Sequence, residues 1–173
     1  MKNFQLGRMF LLFIPALVRL SQPSTAEENA HKSVRAAYER AIQAAELKYI
    51  DGILSVRAKN FQAFGVNGRA VDSKRERVSL ERLLGPALSI REKSDIVSFK
   101  EKDPTHVVCQ VHDVIRVVMP APQPRPPAEL VIDTQCTDEW QKIGNTWKQI
   151  SNRIQRQTYD NHNVAPGQAQ GSK

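Results

Sequence analysis

Asp138 stands in an alternating stretch, Cys136, Asp138 and Trp140, whose side chains a β-strand would turn onto one face. A carboxyl held among apolar neighbours is desolvated, its pKa rises, and it can then donate a hydrogen bond or act as a general acid. The same residue has a plainer use as the partner of Arg153 or of the backbone, and spacing alone leaves both open. Tyr38 lies on the apolar stripe of a helical segment, where its ring packs in a core and its hydroxyl seeks an acceptor; against a cavity it could orient a substrate oxygen. Val107, Cys109, Val111, Asp113 and Ile115 alternate in the same way. Asp113 is the charge on that face, marking either a polar pocket wall or the point where the strand leaves the core.

Pairing arithmetic connects these faces. A turn centred on residues 122–123 sets Cys109 opposite Cys136, and a turn at Gly144-Asn145 sets Ser151 opposite Asp138, with Trp147, Gln149 and Arg153 on the same side. Tyr38, Cys109, Asp113, Cys136, Asp138, Trp140, Trp147, Ser151 and Arg153 are therefore expected to line one interior. Trp140 and Trp147 either stack on a flat ligand or pack the hairpin. Cys109 and Cys136 form a disulfide if the compartment is oxidising, or remain two small buried thiols. Neither has a histidine and carboxylate at a spacing that would make it a nucleophile. His106 and His112 share a strand face but lie roughly 20 Å apart along it, too far to share a metal, so no metal and no cofactor is expected.

The elements that must position these residues follow from periodicity. Val34, Tyr38, Ala41 and Ala45 recur at helical spacing and predict a first helix over 28–48, with a second over 51–59. Asn67-Gly68 predicts a tight hairpin turn. Ser73 and Glu76 have the spacing of a capping box, so a third helix begins at Ser73, carries Leu80, Leu83 and Leu84 inward, and stops at Gly85-Pro86. Beyond Ala87 the pattern is β, with strands over 88–93, 96–102, 105–118, 129–143 and 146–155. The five prolines of 119–127 predict an extended loop, and 158–173 reads as a disordered tail. Helices followed by an antiparallel meander make an α+β fold in which a curved, cone-shaped sheet wraps the first of about three helices.

The 173 residues, with 40% hydrophobic and 25 basic against 18 acidic, suit one domain with its own core. Residues 1–26 read as a secretory signal: Lys2 and Arg8 precede or open a ten-residue apolar run at 9–18, and Ser24-Thr25-Ala26 offers a cleavage site. Ten apolar residues fall short of the about 20 that span a bilayer, so no stable membrane anchor is expected. The segment takes Lys2, Arg8 and Arg19 with it and no acid, so the +7 of the whole chain falls to +4. No basic run interleaved with aromatics remains, which argues against a nucleic-acid partner. The expected domain is 27–157, in a secreted or periplasmic protein.

From about residue 33 to 154 the sequence resembles the nuclear-transport-factor-2-like superfamily, which includes SnoaL-like and ketosteroid-isomerase-like proteins. The likeness rests on Ala41-Ile42-Gln43, Ala58-Lys59-Asn60-Phe61, the stretch 65–72, Thr137-Asp138-Glu139-Trp140, and Gly144-Asn145-Thr146-Trp147-Lys148-Gln149-Ile150. It implies a cone fold, a homodimer, and a cavity for a small organic molecule. In the ketosteroid-isomerase-like enzymes a carboxylate base works with a tyrosine and a protonated aspartic acid. By resemblance Tyr38 matches the tyrosine and Asp138 the acid, whereas the base position falls on Gly65, which has no side chain to move a proton. The leading expectation is thus a module that binds a small organic molecule or mediates association, with no catalysis demonstrated by the sequence and the question of an enzyme left open. The alternative is an isomerase, cyclase or dehydratase using Asp138 with Tyr38. A pure association module would fill the cavity with its own side chains and present Val108, Val114 and Val118 on an exposed face.

Overall fold

The computed structural model describes residues 25–122 and 124–163. Helix α1 runs over Thr25–Glu46 and helix α2 over Ile50–Ser55. Strands β1 (Arg57–Phe64) and β2 (Ala70–Val71) come next, then helix α3 (Ser73–Leu84), then β3 (Ser89–Asp103), β4 (His106–Met119), β5 (Ala128–Ile143) and β6 (Thr146–Asn163). The strands form one sheet in the order β2-β1-β6-β5-β4-β3, antiparallel throughout except where β1 runs parallel to β6.

Helix α1 lies on the sheet through small residues. Ala30, Val34, Ala37, Ala44 and Ala45 are its buried stripe, and short side chains let the helix axis approach the strands closely. It ends where Lys48 takes a left-handed φ of 57° and the Tyr49 N–H closes on the Ala44 carbonyl at 2.7 Å. Two apolar clusters result. One joins Val34 and Ala37 to Val107, Val111, Trp140 and Trp147; the other joins Ala44, Ala45 and Ile53 to Leu84, Ile90 and Val117.

Both predicted turns form. Gly68 has φ 73° and its N–H reaches the Gly65 carbonyl at 2.8 Å, joining β1 to β2. Gly144 has φ 60° and Ile143 pairs with Thr146, a two-residue hairpin with glycine at the position that needs positive φ.

Several predicted boundaries move. The second helix stops at Ser55, and residues 57–59, predicted helical, open β1 instead. Ala58 and Phe61 are buried there, and the Gln149 N–H takes the Val56 carbonyl at 2.9 Å, so tertiary pairing overrides local helix preference. The cap of α3 is Asp72, whose carboxylate accepts from the Arg75 N–H at 2.8 Å, one residue before the predicted Ser73. Glu76, the expected second half of a capping box, instead meets Arg57. The two strands predicted over 88–102 are one, β3, interrupted by a bulge at Val97. Strand β6 continues to Asn163, pairing Thr158 with Asp133 and Asn163 with Ala128, so the predicted disorder of 158–163 is corrected: ladder hydrogen bonds order a polar strand without apolar side chains. The rest of that tail, and nearly all of the signal segment, lie outside the described residues; Thr25 and Ala26 are the first residues of α1.

Candidate functional site

Between the two apolar clusters lies a cavity of about 200 Å³, lined from α1 by Tyr38 and Ala41, from β1 by Arg57, from α3 by Leu80, Leu83 and Leu84, and from the sheet by residues of β3 to β6. Asp138 of β5 forms its floor and is 2% exposed. Tyr38 Oη donates to Asp138 Oδ2 at 2.5 Å, and Asn152 Nδ2 donates to Oδ1 at 2.7 Å. Trp140 Nε1 donates in turn to Tyr38 Oη at 3.0 Å, with the two rings edge to face at 4.9 Å between centroids. Burial pushes the Asp138 carboxyl up to about 6, against the two hydrogen bonds that favour its charged form. Burial, then the Asp138 charge, holds Tyr38 well above its ordinary range, so the phenol keeps its proton.

Two more carboxyls share the cavity. Glu92 of β3 is pushed up to about 7 by burial and by the charges of Asp113 and Glu46, with Arg57 opposing. Asp113 of β4 is raised by burial, opposed by the Ser94 hydroxyl across the ladder and by Cys136 Sγ, 3.6 Å from Oδ2, while its Oδ1 is buried without a hydrogen-bond partner. The cation among the charged lining residues is Arg57. It pairs with Glu76 and stacks over the Phe61 ring at 4.5 Å. Burial lowers the Arg57 pKa and raises that of Glu76 while each opposes the shift of the other.

Of the residues expected inside, Tyr38, Asp113, Asp138 and Trp140 line this cavity. Trp147 is buried in the neighbouring core. Cys109 and Cys136 are free, fully buried thiols behind the lining, and the register that would pair them does not form: Cys109 faces Asp138 and Cys136 faces Val111. The turn centre lies one residue later than expected, a shift of two in register that keeps each face and changes each partner. Burial raises Cys109 to about 12 and Cys136 further, so both stay protonated.

Ser151 and Arg153 are the two misplaced residues. A bulge at Ile150 in β6 sets Ser151 beside Glu139 and brings Asn152 opposite Asp138, flipping the expected faces. Arg153 is exposed over the Phe64 ring at 4.2 Å and does not pair with Asp138. Sequence reasoning missed Arg57, Glu92 and Asn152. The signal for Glu92 was present: Ile90, Glu92, Ser94 and Ile96 alternate as one strand, and a charge on its inward face marks a cavity. His106 and His112 pair separately with Asp103 and Asp133, each at 3.1 Å.

The sequence matches no family model and no curated protein. Solved structures match through the fold. A protein assigned as a scytalone dehydratase from Novosphingobium aromaticivorans superposes with a TM-score of 0.69 at 8% identity, over 81% of this chain and 92% of its own. The hexachlorocyclohexane dehydrochlorinase LinA-type3 from Novosphingobium barchaimii superposes with a TM-score of 0.63 at 8% identity, over 82% and 98%. A protein assigned as an aromatic ring hydroxylase from N. aromaticivorans gives 0.65 at 8% identity, over 77% and 94%. Among the described residues, three helices on a curved, unclosed six-stranded sheet make an α+β fold consistent with the cone of nuclear-transport-factor-2-like proteins. That fold hosts many activities, so function must be argued from the cavity.

Proposed function

We propose that this chain binds a small organic molecule in the cone, with Asp138 and Tyr38 fixing its orientation. The observation that carries the reading is a fully buried carboxyl, held by Tyr38 and Asn152, at the floor of a cavity whose upper wall is leucine and isoleucine. An apolar concavity with a few convergent polar groups is the usual form of a ligand site. The open cavity weighs against a pure association module, which would fill it; Val118 of the proposed exposed face is itself buried. A thermal-shift screen on the protein and on Asp138→Asn tests the reading, because a ligand that binds only the folded state raises its melting temperature. Compounds that stabilise the protein and lose their effect in the variant support it; an empty screen with both proteins folded counts against it.

A second reading, acid–base catalysis in the same cavity, is favoured by Glu92. Gly65, the base position by resemblance, is outside the lining, whereas Glu92 at about 7 and Asp138 at about 6 both face the cavity near neutral pH. The dehydratase and dehydrochlorinase names of two structural neighbours belong to elimination enzymes, which agrees with a base and an acid in one pocket. Deuterium incorporation from solvent into a bound ligand, lost in Glu92→Gln, would support it; no exchange with any bound ligand would remove it.

Export after cleavage near Ala26 is supported by the apolar run at 9–18, and N-terminal sequencing of protein recovered outside the cytoplasm tests it. A homodimer is supported by the family resemblance, and sedimentation equilibrium tests that.

A further inference from the structure

We propose that the cavity takes a cationic ligand, a protonated organic amine with a compact apolar body. This deepens the binding reading above and rests on it. Glu92, Asp113 and Asp138 project into one cavity from three neighbouring strands, β3, β4 and β5. Ile115 stands directly opposite Glu92, which makes Asp113 its diagonal neighbour, close enough for the two carboxyls to repel. The single cation among the charged lining residues, Arg57, is already committed to Glu76, so the wall carries an excess of negative charge.

One buried acceptor in the lining is also unmet. Asp113 Oδ1 is buried with no hydrogen-bond partner, the Ser94 hydroxyl across the ladder being the donor that bears on this carboxyl, and Glu92 lines the same cavity. Tyr38 directs its one O–H donor at Asp138, so the floor also presents acceptors to a ligand. An ammonium group offers three N–H donors and a positive charge, and such charge-assisted bonds are the strong ones. Tyr38 and Trp140 place aromatic rings in the same lining, which attract cations at their faces. Arg57 Nε is likewise buried without an acceptor, while its Nη1 lies against Glu76, so a ligand oxygen is accommodated too. Ile53, Leu80, Leu83, Leu84, Ile90 and Ile115 give the apolar body its surroundings. A carboxylate ligand would add charge beside Glu92 and Asp113 and be rejected.

The test is isothermal titration of the full chain at about pH 8, where Glu92 is mostly ionised, with cyclohexylammonium, cyclohexanol and cyclohexanecarboxylate, three probes of one shape and different charge. The ammonium should bind at least about tenfold tighter than the alcohol, and the carboxylate weakest. Glu92→Gln and Asp113→Asn, both near-isosteric, should each narrow the ammonium-to-alcohol ratio by about tenfold, with folding checked by circular dichroism. An alcohol that binds as tightly as the ammonium, or a ratio that neither variant changes, overturns the cation assignment and leaves the cavity-binding reading standing. Binding by none of the three counts against both.

Discussion

Asn152 faces Asp138 across the β5–β6 ladder and donates its side-chain N–H at 2.7 Å because Ile150 is left unpaired in a bulge. Trp140 pairs with Gln149 and Glu139 with Ser151, so one extra residue on β6 turns Asn152 toward the cavity. The amide thereby supports the charged form of a buried carboxylate. Asn152→Ala should raise the Asp138 pKa above about 6 and destabilise the protein by about 1–2 kcal/mol at about pH 8. The loss should shrink at about pH 5, where the carboxyl is protonated and no longer needs the donor. Urea unfolding at the two pH values measures this; an equal loss at both would show that the amide does not support the charge.

The Tyr38 hydroxyl bridges two buried groups, accepting from Trp140 Nε1 and donating to Asp138 Oδ2. Tyr38→Phe keeps the ring and removes the bridge, leaving the indole N–H of a residue only 1% exposed without an acceptor. Stability should fall by about 2–4 kcal/mol, since each orphaned buried group costs about 1–3. Chemical denaturation with the Trp140 and Trp147 fluorescence as probe reads the change. A loss below about 0.5 kcal/mol would rule the bridge out as a structural element.

How much of this was legible in the sequence depends on which physical rule each element obeys. Helix α1, the two glycine turns and the inward alternation of β4 and β5 follow local patterns, and they appear where periodicity put them. Local pattern also found Asp138 and Tyr38. It lost Ser151 and Asn152 because a bulge is a property of two paired strands, and one residue of slip exchanges the faces. Arg57 was lost because its end of β1 pairs in parallel with the distant β6, against its own helix preference. The end of β6 was lost because polar residues on both faces look unstructured until their backbone finds the partner strand.

Cys109 and Cys136 should behave as two inert thiols. They are 0% and 1% exposed, and burial suppresses the thiolate that alkylating agents attack. The native protein should leave both unmodified on the time scale in which denatured protein takes up two labels. Intact mass after alkylation, with and without denaturant and with no reductant, gives the count. Protein that takes up no label even when denatured would contain the disulfide that the observed register does not form.

Glu92 ties the ligand proposal to stability. Its folded-state pKa of about 7 stands above the ordinary carboxylate value of 4.5, so the folded protein binds the proton more tightly than the unfolded chain does. That contribution is fully present below the unfolded value and is lost as the pH rises through about 7. The neutral side chain of Glu92→Gln escapes the loss. The variant should therefore match the protein near pH 4 and exceed it by about 2 kcal/mol at about pH 8, the figure discounted for partial solvent access. Urea denaturation of both proteins at those pH values measures the gap. Because the same substitution is expected to weaken the preference for an ammonium ligand, gained stability and lost selectivity should appear together. A variant less stable than the protein at about pH 8 would mean that Glu92 is held by a favourable partner, and the excess of negative charge assigned to the cavity wall would be wrong.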